Sequence, residues 1–242
     1  MKTFTVMEPT TLYKIDRGSR AMGFDIRSSD YDYIVFSKCT REEFLDHVFD
    51  RKKFVNKHCK IKNDDVTLSN LFVGLKGIYN GNYAHLAIFS EPRHFGVDDY
   101  FLYKFVKTVA KLRMPLILKT MLKYNLNSEH VTAKHALQLL YNVSYADYVL
   151  RHGMPEGIVR MPAVLCSTVA KNAYATLMSQ RLENDTENIR YKLEDEVKFL
   201  IKYRNNVLES VNAMPNPENR PDIETSICNY FLCENVNLTI PQ

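Results

Sequence analysis

The sequence predicts an α+β fold, a short mixed sheet with flanking helices followed by a helical C-terminal region. Two observations carry this. Up to about residue 95, short β-prone runs alternate with segments of helical periodicity, and from Val97 onward only the helical rhythm remains. The 242 residues, 45% hydrophobic and 25% charged, can bury a sizeable core without disulfides or a structural metal. The expected division is a mixed α/β core over residues 1–95, a helical domain over 96–212 and a Pro/Asn-rich tail over 213–242.

Leu12 to Asp16 reads as a short strand running into a glycine turn, and Asp32 to Phe36 (DYIVF), aromatic and β-branched, as a second strand. Thr40 caps a helix (TREEFLDHVFD), with Glu43 completing a capping box. Asp65 to Ile78 places Leu68, Leu71, Phe72 and Leu75 on one face and reads as a second helix. Ala84 to Phe89, reached through Asn80-Gly81-Asn82, is a third strand candidate.

Beyond these, Val97 to Leu112 has Tyr100, Phe101, Lys104, Phe105, Thr108 and Val109 at helical spacing, and Pro115 interrupts the pattern. Leu116 to Tyr124 follows as a helix. Asn127-Ser128 is the expected cap of a long helix, His130 to Leu150, that ends near Gly153. Pro162 to Arg181 and Glu187 to Val211 supply two more helices, and Met214 to Asp222 breaks the pattern before a short, extended tail.

The net charge of +4 identifies no partner by itself, but Arg51 to Lys62 (RKKFVNKHCKIK) is basic without an acid, and such a run beside a nucleotide site attracts phosphate-bearing substrates. Five cysteines at irregular spacing argue against a disulfide framework, and Cys228 and Cys233 lack a second pair at zinc-site spacing. No stretch approaches the length of a membrane-spanning helix, and Met1 to Pro9 does not read as a secretion signal, so an intracellular protein with no membrane partner is expected.

The stretch that carries chemistry is Arg17 to Phe36 (RGSRAMGFDIRSSDYDYIVF). Gly18 and Ser19 open a turn whose free N–H groups and small side chains let a phosphate come close to the main chain. Arg20 adds a fork suited to phosphate oxygens. If Asp30 and Asp32 begin the following strand, they share one face about 7 Å apart at Cα. Carboxylates held so close repel until a cation joins them, and Mg²⁺ is commonly held by one or two carboxylates together with substrate phosphates. Tyr31 and Tyr33 are expected to point away from the Asp face and pack. Lys134 and His135, on the long helix, are candidates to face the cleft, Lys134 to meet a triphosphate.

Gly18-Ser19-Arg20-Ala21-Met22-Gly23 followed by Ser29-Asp30-Tyr31-Asp32 resembles the signature of DNA polymerase beta-like nucleotidyltransferases, and more narrowly that of the RNA-ligase-associated predicted nucleotidyltransferases of bacteria and phages. Looser similarity continues at Gly81-Asn82 and at Lys134-His135-Ala136-Leu137 through Gly153. The resemblance implies a minimal nucleotidyltransferase core, with Asp30 and Asp32 as catalytic residues and ligands of Mg²⁺ or Mn²⁺. It implies nucleotide binding by Gly18, Ser19, Arg20 and Lys134, with ATP the expected donor. The expected reaction moves a nucleoside monophosphate to an acceptor hydroxyl in the cytoplasm of a bacterium or a phage-infected cell. The acceptor candidates are an RNA 3′ end, tRNA included, and a protein hydroxyl. One departure leaves a catalytically degenerate nucleotide- or partner-binding module as a third reading. The relatives carry an acid after the Gly-Asn landmark, whereas Tyr83 to Phe89 has none, so that His85 or Glu91 is left to serve as a third ligand.

Overall fold

The computed structural model describes residues 11–37, 39–49, 57–61, 64–83, 100–155 and 159–232. The architecture is the α+β one expected, with a four-stranded mixed sheet and flanking helices followed by a helical region. Strand β1 (Thr11–Arg17) leads directly into a short helix α1 (Gly18–Met22), and strand β2 (Asp32–Ser37) returns antiparallel to β1. Helix α2 (Arg41–Phe49) starts at the anticipated capping box, in which the Thr40 N–H donates to Glu43 Oε2 (2.9 Å) and the Glu43 N–H to Thr40 Oγ1 (3.1 Å).

Strands β3 (Lys57–Ile61) and β4 (Asp64–Asn70) form an antiparallel pair, and β4 lies parallel to β2, giving the order β1-β2-β4-β3. Here the structure corrects the sequence reading. Of the helix expected over Asp65–Ile78 only α3 (Leu71–Tyr79) exists, and the residues before it are a strand. Leu68, Leu71, Phe72 and Leu75 mimic a helical stripe because the strand's last apolar residues run directly into the helix. Asn70 makes the break, its extended backbone ending the strand while Oδ1 accepts the Val73 N–H at 2.9 Å.

Alternation along β1 and β2 buries Ile15, Ile34 and Phe36 on one face. Helix α3 covers that face with Gly74 against the Phe36 ring, and Phe44 of α2 meets Phe72 edge-on at 5.0 Å. The helical region comprises α4 (Tyr100–Leu112), α5 (Met114–Met121), α6 (Ala133–His152), α7 (Thr168–Glu183), α8 (Glu194–Asn212) and α9 (Pro221–Leu232). Pro115 sits in the first turn of α5, where its missing N–H leaves no intrahelical bond unmade. The cap of α6 is Thr132 rather than Asn127-Ser128, and α7 begins after Ser167 rather than at Pro162. The residues ahead of α8, expected to be helical from Glu187, form turns as far as Leu193.

Helix α6 lies buried along most of its length, and α7 and α8 pack on it. The segment that read as an extended tail instead carries α9, which packs on α2 and α3. The linker before it is held by the buried Arg113, whose Nε donates to the Tyr79 carbonyl (2.7 Å) and Nη1 to the Glu218 carbonyl (2.9 Å). The buried apolar residues of the sheet, of α2 and α3 and of the helical region form one continuous core. The strand candidate Ala84–Phe89 lies outside the described residues, as does most of the basic run before β3.

The helical region also grips the loop between α1 and β2. Arg181 of α7, only 1% exposed, donates from Nη1 to the Phe24 carbonyl and from Nη2 to Ser29 Oγ (3.1 Å), with Asp185 beside its Nε at 3.0 Å. Tyr174 donates its hydroxyl to the Gly23 carbonyl at 3.0 Å, and the Met161 N–H donates to the Met22 carbonyl at 2.8 Å. Gly23 has a positive φ of 79°, and a side chain there would meet the Met161 carbonyl oxygen at 2.7 Å. Replacing Arg181 by Met leaves the Phe24 carbonyl without its donor and the Asp185 carboxylate without its counter-charge. We expect it to cost about 2–4 kcal/mol in urea unfolding and to open residues 23–29 to limited proteolysis before global unfolding.

Candidate active site

The register of the sheet builds a row of charge. Arg17 on β1 faces Asp32 on β2, Asp32 lies beside Asp65 on β4, and Asp65 faces Lys60 on β3. Residues paired across neighbouring strands project from the same face, so the row reads cation, carboxylate, carboxylate, cation. One register step further in, Ile15, Ile34, Thr67 and His58 form the adjoining row on that face. Lys60 Nζ approaches Asp65 Oδ1 to 3.8 Å, and Arg17 reaches past β2 to donate from Nη1 to Thr67 Oγ1 at 3.2 Å. A cavity of about 560 Å³ opens over these residues, lined among others by Arg17, Gly18, Asp32, His58, Lys60 and Asp65.

Gly18 is required twice over. Its φ is +64°, and a Cβ at this position would sit 2.1 Å from Asp32 Oδ2. The turn leaving β1 is thus pressed directly on the carboxylate it was expected to accompany. Burial lifts the Asp32 pKa above the ordinary carboxylate value, and the nearby charges of Asp65 and Asp30 add to the rise, while Lys134 and Arg17 oppose it. Lys134, in the first turn of α6, is therefore brought to the neighbourhood of Asp32 across more than a hundred residues of chain.

The other expected site residues are placed differently. Asp30 stands exposed in the loop, two residues before the strand begins, and acts on Asp32 through its charge. Ser19 is 5% exposed and lies inside α1, and its carbonyl accepts the Gly23 and Phe24 N–H groups. Arg20 does not line the cavity. Its guanidinium lies over the Tyr31 ring at 3.8 Å, donates to the Ser29 carbonyl (3.1 Å) and approaches Asp25 (3.6 Å), which braces the loop. Tyr31 and Tyr33 stack on each other at 6.0 Å, with Lys14 over Tyr33, yet Tyr31 remains 46% exposed rather than packed. His135 closes the capping box of α6 with Thr132. His85 and Glu91 lie outside the described residues.

Sequence reasoning missed Asp65, Thr67 and His58, held Lys60 only as part of a basic run, and did not foresee the cross-sheet reach of Arg17. The alternation of Val66 and Leu68 with Asp65, Thr67 and Ser69 was the available signal for β4, and Asn70 as a helix cap would have marked its end. Among the described residues no three His, Cys, Asp or Glu side chains are grouped to hold a metal ion by themselves. Asp32 and Asp65 nevertheless supply two hard oxygen donors from adjacent strands, which fits an ion that arrives with phosphate oxygens completing its shell.

Comparison with known proteins adds one relative. The chain is 26% identical over 260 aligned residues to Protein Early 65 kDa of Autographa californica nuclear polyhedrosis virus, covering 91% of this chain and 46% of the viral protein. The chain thus spans less than half the length of the relative it matches, whose name assigns no chemistry. No family model and no solved structure matches the chain.

The raised pKa of Asp32 carries a stability consequence. A carboxyl whose pKa is higher in the folded than in the unfolded state favours folding below the unfolded value of 3.8 and opposes it once pH exceeds the folded value. In the absence of ligands Asp32→Asn should therefore raise the melting temperature at pH 7. The gain should shrink as pH falls through the Asp32 titration and vanish below about 3.8, which a pH series of thermal melts measures.

Proposed function

We propose that the chain is a metal-dependent nucleotidyltransferase that moves a nucleoside monophosphate from a nucleoside triphosphate, ATP foremost, to an acceptor hydroxyl. The observation that carries this reading is the pairing of Asp32 with Asp65, flanked by Arg17 and Lys60, beneath the Gly18 turn and over an open cavity. The resemblance of Gly18 to Asp32 to polymerase beta-like nucleotidyltransferases lacked an acid on a neighbouring strand, and Asp65 fills that role in this reading. In this reading the chain is catalytic rather than a degenerate module, whose premise was the lack of that acid.

Asp32 and Asp65 would hold Mg²⁺ or Mn²⁺, with Asp30 adding negative charge at the rim. The ion would neutralise charge on the phosphates and lower the barrier to in-line attack by the acceptor oxygen. Arg17 and Lys60 place positive charge at both ends of the carboxylate pair, so phosphate oxygens entering the cavity meet a cation on either side. Lys134 contributes positive potential from α6. Gly18 keeps the space above the Asp32 carboxylate free of side-chain atoms. The basic run includes β3, whose Lys60 and His58 line the same cavity, which favours an extended anionic substrate and makes RNA the first acceptor to try.

The test is incubation with labelled triphosphates and Mg²⁺ or Mn²⁺, with RNA, tRNA included, in one arm and a protein mixture in the other. Label is expected in the RNA arm. Asp32→Asn and Asp65→Asn should each lower the rate by on the order of 100-fold or more while the protein stays folded. Label in the protein arm alone would move the acceptor to a protein hydroxyl. No transfer and no pyrophosphate release in either arm would refute the reading, and a full rate in Asp65→Asn would remove Asp65 from it.

A further inference from the structure

A hydrogen-bonded chain runs along the wall of the cavity and ends on a histidine. Arg17 Nη1 donates to Thr67 Oγ1 at 3.2 Å, and the same oxygen lies 3.0 Å from His58 Nδ1. Thr67 is only 6% exposed, whereas His58 is exposed and lines the cavity beside Lys60 and Asp65. A guanidinium has no acceptor, so Thr67 must accept from Arg17, and its single proton remains free to give. Donation of that proton to His58 Nδ1 satisfies both groups. The reverse arrangement, with Nδ1–H as donor, leaves a buried hydroxyl proton with no acceptor among the hydrogen bonds of the described residues. The neutral imidazole then carries its proton on Nε2, where it cannot ligate a metal and can donate to an anion.

We infer that His58 is a phosphate-contacting residue, held by Arg17 and Thr67 in the tautomer that offers its Nε2–H to an anionic oxygen of the triphosphate. This rests on the nucleotidyltransferase reading and names a part of the cavity that reading leaves unassigned. It divides the cavity into a carboxylate side, Asp32 and Asp65, and a donor side, His58 and Lys60 on β3 with Arg17 reaching over from β1. Thr67 is a positioning residue: it touches no substrate in this scheme and acts by fixing which imidazole nitrogen bears the proton.

The experiment measures binding of inorganic pyrophosphate and of ATP, each with Mg²⁺, to the full chain by calorimetry, so that no acceptor or turnover is needed. Binding of Mn²⁺ alone is followed by its paramagnetic resonance. His58→Ala should weaken pyrophosphate and ATP by roughly tenfold, the loss of one hydrogen bond to a charged acceptor. His58→Gln, whose amide keeps an N–H donor, should stay within about threefold of the parent chain. Thr67→Val should weaken both ligands as His58→Ala does, Thr67→Ser should restore them, and the double variant His58→Ala/Thr67→Val should bind no more weakly than His58→Ala. Mn²⁺ affinity should not change in any of these.

Unchanged pyrophosphate and ATP affinity in His58→Ala overturns the inference and leaves the nucleotidyltransferase reading intact. A fall in Mn²⁺ affinity in His58→Ala also overturns it, by making the residue a metal ligand. If the parent chain binds neither pyrophosphate nor ATP, the nucleotidyltransferase reading fails and takes the inference with it. If it binds both through His58 yet transfers no label, the phosphate contact stands and only the transfer reaction is lost.

Discussion

Burying a guanidinium removes several hydrogen-bond donors from water, and the cost is recovered through the acceptors and counter-charge it finds in the interior. Arg181 finds its acceptors in the loop between α1 and β2, at the Phe24 carbonyl and the Ser29 hydroxyl, with Asp185 balancing its charge. That one side chain obliges α7 to sit against the loop, and the loop sets where Gly18 ends β1 and where Asp32 begins β2. Tyr174 and Met161 add two more bonds to the same backbone. The helical region is therefore the backing of the Gly18–Asp32 segment as well as a neighbour of it, and the two share a continuous core.

With the loop held, the charges in the cavity follow from strand pairing. Parallel alignment of β2 and β4 leaves Asp32 and Asp65 no choice but to adjoin, and burial makes the charged form of Asp32 costly. Lys134 and Arg17 relieve part of this at Asp32, Lys60 approaches Asp65, and Arg17 directs one of its N–H groups to Thr67. In the proposed function a cation that comes with its own anionic ligands would relieve the remainder. In folding terms a desolvated carboxylate beside another is a liability, and this is the kind of local cost that proteins retain where chemistry is done.

Several elements were legible in the sequence because short-range forces decide them. The capping box of Thr40 and Glu43, the strand Asp32–Ser37 and the glycine turn after β1 all depend on residues a few positions apart. Errors fell where a local pattern was ambiguous or a tertiary partner chose among options. The apolar spacing of Leu68 to Leu75 fits a helix equally well whether the helix begins at Asp65 or at Leu71, and only pairing with β2 and β3 draws Asp64–Asn70 into the sheet. Arg20 is suited to phosphate by chemistry, but Tyr31, Ser29 and Asp25 engage it first.

The sequence by itself determined the fold class, the turn at Gly18-Ser19 and the strand that Asp32 begins, since backbone propensity, capping and alternation act within a turn or a strand. Only the tertiary structure decided which other groups share the cavity. Asp65 is beside Asp32 because two strands more than thirty residues apart lie parallel in register, and Lys134 is near because α6 docks where the core admits it. Thr67 and His58 join Arg17 across three strands of a sheet whose order, β1-β2-β4-β3, no local pattern specifies. Contacts of that separation are chosen by burial and hydrogen-bond satisfaction over the whole chain, and for that reason the composition of the site had to be read from the folded molecule.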